Sequence, residues 1–140
     1  MSINVEEVEK DIWNTVERHL ESIFSQDLET YESTTSQDLS LYEWFVVPHR
    51  QDGLPFHLFM IEHNWAGAGA EFRYDLWEPR LQLYENTAIV SYTFMLTIAE
   101  GGSVQHRAHN ESRVLIQSED GWKVVHVHKS PAWKAPHEPS

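Results

Sequence analysis

Apolar residues recur at Val5, Val8, Ile12, Val16, Leu20 and Ile23 along the first segment of the chain, in steps of three or four. That spacing lays one apolar stripe along a long amphipathic helix. Asn4 followed by Glu7 has the form of a capping box at its start, and the stretch SQDLETY beyond it supplies a new cap and a short second helix. A strand through Leu39 to Phe45 follows. The turn residues of DGLPFHLFMIEHNW, with Pro55 near a first-turn position, open a third helix in which Phe56, Phe59, Met60 and His63 fall at helical spacing. It ends before WAGAGA, a small-residue loop.

From there the period shifts to two. Segments of strand-favouring composition, about Phe72 to Tyr84, Thr87 to Ala99, Ser103 to Gln117 and Trp122 to His128, are separated by turn signals at Glu85-Asn86, Gly101-Gly102 and Asp120-Gly121. These read as consecutive antiparallel hairpins. Helices first and a meander afterwards predict an α+β fold in which a curved sheet wraps the long helix. One domain over residues 1–130 is expected, followed by a Pro-rich tail at 131–140, where three prolines in PAWKAPHEPS discourage regular structure. There is no internal repeat.

Composition narrows the partners. The chain of 140 residues carries ten Lys and Arg against 22 Asp and Glu, a formal charge of -12 with His neutral. A sequence-independent nucleic-acid binder needs a basic face, and so does docking on an anionic membrane, so neither partner is expected. Small molecules and proteins remain. The absence of cysteine removes disulfides, thiolate metal sites and thiol catalysis, and makes the cytoplasm the default location. The acidic start MSINVEEVEKDIW lacks the apolar core of a signal peptide.

Candidate chemistry gathers in GWKVVHVHKS. In a regular strand His126 and His128 share one face, while Val125, Val127 and Lys129 share the other. A metal site needs a third ligand, and His106 and His109, three apart in the neighbouring strand, do not share a face. The histidines are therefore expected to be structural, at a sheet-to-sheet interface, with no metal and no response to chelators. On the other face, Arg113 and Leu115 meet Val125, Val127 and Lys129 of the hairpin partner. Both cations then stand over an apolar floor and can grip a carboxylate, bicarbonate or similar small anion. Arg113 can equally pair with Glu111, two residues away on its own strand. An apolar outer face, suggested by Val114 and Ile116 with Trp122 and Val124 nearby, predicts at least a dimer.

The stretches FSQDLETYESTTSQDLSLYEW, GLPFHLFMIEHNW and ESRVLIQSEDGWKVVHVHKS together resemble the association (hub) domain of calcium/calmodulin-dependent protein kinase II. That family lies within the nuclear-transport-factor-2-like superfamily, which also holds SnoaL-like proteins and ketosteroid isomerase. The resemblance runs from about residue 5 to 130, with no kinase segment ahead of it, and so implies a free-standing hub-like protein. It implies a cone-shaped roll with a pocket between sheet and helices, dimers formed through the sheets, and rings of dimers. It places pocket residues at His57 and Trp65 and basic groups at Arg113 and Lys129, with a further family arginine replaced by Thr93. The function expected is a self-associating protein whose pocket binds a small carboxylate-type ligand. The alternative is a SnoaL-like or ketosteroid-isomerase-like enzyme, an isomerase, cyclase or metal-free hydratase working by acid–base chemistry without a cofactor. Glu111, Tyr92 and Asp75 are its candidate catalytic groups, and Thr93 is a polar group able to orient a water.

Overall fold

Asn4 caps the first helix, its Oδ1 accepting the backbone N–H of Glu6 at 3.1 Å and of Glu7 at 3.3 Å. In the computed structural model, which describes residues 4–64 and 71–132, this helix is α1 (Val5–Ser25). It stops where Gln26 turns left-handed at φ 56°, and the N–H groups of Gln26 and Asp27 return to the carbonyls of Ile23 and Ser22. Asp27 immediately caps α2 (Leu28–Ser33) by accepting from the Thr30 N–H. β1 (Thr35–Glu43), β2 (Gln51–Asp52) and α3 (Leu54–Asn64) follow, then the long strands β3 (Glu71–Tyr84), β4 (Thr87–Glu100), β5 (Ser103–Ser118) and β6 (Gly121–Pro131).

The four long strands form the antiparallel meander that the turn signals predict. The sheet order is β2-β1-β6-β5-β4-β3, so β1 joins the last strand, and it does so in parallel. No hairpin pattern reveals that pairing. β1 also begins at Thr35, ahead of the expected Leu39, and ends at Glu43, leaving Trp44 and Phe45 in a turn. The helices lie on one face. Ile12, Val16 and Leu20 of α1, Tyr31 of α2 and Leu54 and Ile61 of α3 share a core with Leu39, Leu41, Val90, Phe94, Leu115, Val124 and Val127 of the sheet.

One expectation about facing is corrected, that for Trp122 and Val124, and the inner side of α3 is one that spacing left open. Phe56 and Phe59 of α3 are exposed, and the helix instead buries Leu54, His57 and Ile61. Its apolar residues run almost all the way round, so spacing alone does not select the inner side. On β6 the register shifts opposite Val114 and Leu115: Val114 pairs with His126 and Leu115 with Val124, which makes Val125 an extra residue. This β-bulge resets the alternation. Trp122 and Val124 therefore face the core together with Val127 and Lys129, and are not on the outer face with Ile116.

The bulge makes a direct prediction for stability. Trp122 is 4% exposed and Ile116 37%. Trp122→Ala is expected to cost about 3–5 kcal/mol in urea unfolding of the chain, as for a large core side chain. Ile116→Ala costs the isolated protomer under about 1 kcal/mol. Equal losses would contradict the facing.

Candidate functional site

The inner face of the sheet is largely apolar, and its polar side chains gather about one level, where the strand registers align Glu43 of β1 with Lys129 of β6, Lys129 with Glu111 of β5, and Glu111 with Tyr92 of β4. All four side chains point to the helices and are largely buried. Arg113 lies two residues beyond Glu111 on the same face and is fully enclosed.

Hydrogen bonds divide this polar layer into two linked groups. In the first, Lys129 Nζ donates to Glu43 Oε2 at 2.7 Å, and His57 Nε2 lies 3.1 Å from Glu43 Oε1. His57 Nδ1 is 2.7 Å from the Tyr31 hydroxyl. In the second, Arg113 donates to Glu111 Oε1 and to the Tyr92 hydroxyl, the latter at 2.7 Å, while Tyr92 itself donates to Glu111 Oε1 at 2.8 Å. The other Glu111 oxygen is bonded to His109 Nε2. His19, buried on α1, stacks on Tyr31 with ring centroids 4.5 Å apart and bonds through Nδ1 to Thr34 and Thr35.

The charges balance. Burial alone would push the Glu43 carboxyl up, but the Lys129 charge and the His57 bond outweigh it and hold the group well below the ordinary carboxylate range. Glu111 behaves alike: burial opposes ionisation, and Arg113, Lys129 and His109 overcome it. Burial would lower Arg113, yet the Glu111 charge beside it leaves it more firmly protonated than a free guanidinium. Burial keeps Tyr92 and Tyr31 neutral, and keeps His19 neutral with the help of Arg113.

The structure thus brings together Arg113, Lys129, His57, Glu111 and Tyr92 of the residues singled out from sequence. The floor beneath the two cations is not simply apolar, because each is bonded to an internal carboxylate. Thr93 stands on the opposite face, its hydroxyl donating to Asn110 Oδ1 at 2.7 Å, and Asp75 pairs with Met95 on that same outer side. Neither reaches the cluster, since each is one residue out of phase with the core positions Tyr92 and Phe94, and Tyr74 and Leu76. Trp65 lies outside the described residues. Glu43, Tyr31, His19 and His109 complete the cluster and were not picked out as site residues. The alternation Leu39, Leu41, Glu43 was the available signal for Glu43, and His109, Glu111, Arg113, Leu115 for His109.

On the outer face His126 Nδ1 is 2.7 Å from Ser40 Oγ, and His128 lies against Tyr42 with centroids 5.1 Å apart. His106 bonds to Thr97 on the outside, whereas His109 faces inward. Among the described residues no group of three His, Cys, Asp or Glu side chains is placed to hold a metal ion. None of the described helices is long and apolar enough to cross a membrane.

Because Glu43 and Glu111 titrate lower in the folded than in the unfolded chain, each adds stability above the ordinary carboxylate range near 4.5. That contribution is lost as pH falls through the folded values. Urea unfolding from pH 7 to pH 3 is expected to show a steep acid limb. Glu111→Gln should cost about 3–5 kcal/mol at pH 7, by leaving Arg113 buried without its counter-charge. It should also flatten the limb, and an unaltered limb in this variant would remove Glu111 from the account.

The model of the calcium/calmodulin dependent protein kinase II association domain matches residues 8–133. The chain is 25% identical over 131 residues to calcium/calmodulin-dependent protein kinase type II of Caenorhabditis elegans, covering 92% of this chain and 18% of that protein. It thus spans about a fifth of that relative's length. The solved association domain of the C. elegans kinase superposes with a TM-score of 0.78 at 24% identity, over 89% of this chain and 96% of that one. An NTF2-like protein with a cystatin-like fold from Novosphingobium aromaticivorans gives 0.79 at 15% identity, over 94% of this chain and 86% of that one. The chain belongs to the calcium/calmodulin-dependent protein kinase II association domain family, on an NTF2-like α+β fold.

Proposed function

We propose that the chain is a hub-like, self-associating protein that pairs with a second copy through the outer face of β3–β6. The carrying observation is the character of that face. The helices cover the other side, and Trp77, Met95, Val104 and Ile116 are left exposed here, Trp77 at 59%. Outward positions of these strands carry Arg73, Arg80 and Lys123 against Glu71 and Asp75, with a further exposed acid, Glu78, at the bulge of β3. In a chain of charge -12, this is a surface on which two copies meet without strong repulsion. The exposed Phe56 and Phe59 of α3 supply a second apolar patch at a different place on the fold, as a ring of dimers requires. The family's association domain name accords with this reading.

Light scattering at micromolar concentration should give at least twice the 16.4 kDa chain mass. Val114→Glu combined with Ile116→Glu sets carboxylates against each other where the faces meet, and should give a folded monomer by circular dichroism. A monomeric wild type would refute the reading.

A second reading, that the inner cluster binds a small carboxylate, is favoured by Arg113. Its Nε is buried and has no hydrogen-bond partner, and Lys129 and His57 belong to the same polar layer. A ligand oxygen at Nε adds a bond, whereas one at Lys129 Nζ or Arg113 Nη1 displaces Glu43 or Glu111. Benzoate at about 100 times its dissociation constant should stabilise the fold by about 2.7 kcal/mol, beyond the effect of sodium chloride at equal ionic strength, while benzamide should not. Arg113→Ala should abolish the melting shift and Lys129→Ala should reduce it less. Equal shifts in wild type and Arg113→Ala would exclude the cradle.

A further inference from the structure

His109 borders the inner cluster but is given no role in either reading, and its ring is held on several sides. Its ring stacks on Phe94 with centroids 5.3 Å apart and planes at 28°. Trp44 meets it edge-on at 5.7 Å, and Phe45 lies 6.3 Å away. Behind it, Glu111 accepts from Nε2 through one oxygen, while Arg113 and Tyr92 occupy the other. An ionised carboxylate only accepts hydrogen bonds, so in the neutral ring the proton is on Nε2 and Nδ1 carries the lone pair. Nδ1 has no hydrogen-bond partner among the described residues, and the side chain retains 11% exposure. Phe45, 51% exposed, offers an aromatic surface beside it.

A base fixed in tautomer and plane by a carboxylate, next to a partly open aromatic wall, is an arrangement for proton abstraction. We propose that His109 Nδ1 is a general base acting on planar, apolar molecules whose C–H is acidified by an adjoining carbonyl or imine group, held against Phe45 and Trp44. Glu111 is its positioning residue, and Arg113 and Tyr92 hold Glu111. The activity needs neither self-association nor carboxylate binding, so its test stands apart from theirs.

The probe is 5-nitrobenzisoxazole. Its ring C–H proton passes to Nδ1, the C–H electron pair completes the carbon–nitrogen triple bond, and the N–O bond breaks with oxygen keeping the pair as a coloured phenolate. Water then takes the proton from His109, and no co-reactant is needed. The full chain is expected to turn over saturably, about 10²-fold or more faster than free imidazole at equal concentration. His109→Gln, whose amide can still donate to Glu111, should lose the rate, whereas His63→Gln, in an exposed position outside the cluster, should keep it. Glu111→Gln should lower kcat with KM held, and Phe45→Ala should raise KM with kcat largely kept. A wild type no faster than imidazole, or His109→Gln as fast as wild type, overturns the proposal. If circular dichroism shows His109→Gln unfolded, an unchanged KM in Phe45→Ala overturns it instead.

Discussion

One row of side chains, Glu43, Lys129, Glu111 and Tyr92, crosses four strands at a single level, and the signs of its charges alternate. Burying such charges is costly, and pairing in a low dielectric repays the cost only when geometry is good. Here the geometry comes from topology. Lys129 meets Glu43 across 86 residues of chain, because β1 adds to β6 in parallel at this register. A slip of one residue would turn Glu43 to the outer face and strand Lys129 inside. The pairing of first strand with last, and the ionisation of the cluster, therefore specify each other. The hydrophobic core fixes that a sheet forms, while the charge row penalises alternative registers.

The elements themselves were legible because each carries a clean local period. α1 shows steps of three and four, and β3 to β6 are punctuated by turn residues whose positive φ values appear at Glu85, Gly101, Gly102 and Gly121. What escaped reading was non-local or phase-dependent. No turn links β1 to β6, so nothing local announces their pairing. The run VVHV is apolar on both sides of the strand, so the extra residue at Val125 leaves no mark, yet it moves Trp122 and Val124 indoors. α3 is apolar nearly all round, and its inner side is chosen by His57 finding Glu43 and Tyr31. Parity was also the available guide at the site. Tyr92 shares a phase with the core residues Val90 and Phe94, whereas Thr93 does not, and so the family-based assignment there fell on the wrong face.

The two faces of the sheet solve opposite electrostatic problems with alternate residues of the same strands. Inside, two carboxylates are matched by two cations, so the layer is close to neutral despite its ionised members. Outside, β3 to β6 are depleted of acidic residues relative to a chain with 22 of them. The excess negative charge is displaced to other surfaces, including α1, where Glu6, Glu7, Glu17 and Glu21 face solvent. A strand substitution that keeps its side of the sheet perturbs one of these balances and spares the other.

The internal pairing also decides what the inner face can recognise. Glu43 and Glu111 are anions already tethered to the two cations, and a tethered partner acts at an effective concentration that a free ligand must exceed. A monovalent carboxylate exchanges one anion for another and leaves the displaced Glu buried without its partner, so its net gain is small. Arg113 Nε is the exception, because an acceptor there adds a bond without breaking one. On the proposal made for His109, a neutral planar molecule would displace neither carboxylate and would gain from Phe45 and Trp44 instead. Under these proposals, charge matching within the cluster shifts discrimination from net charge to shape.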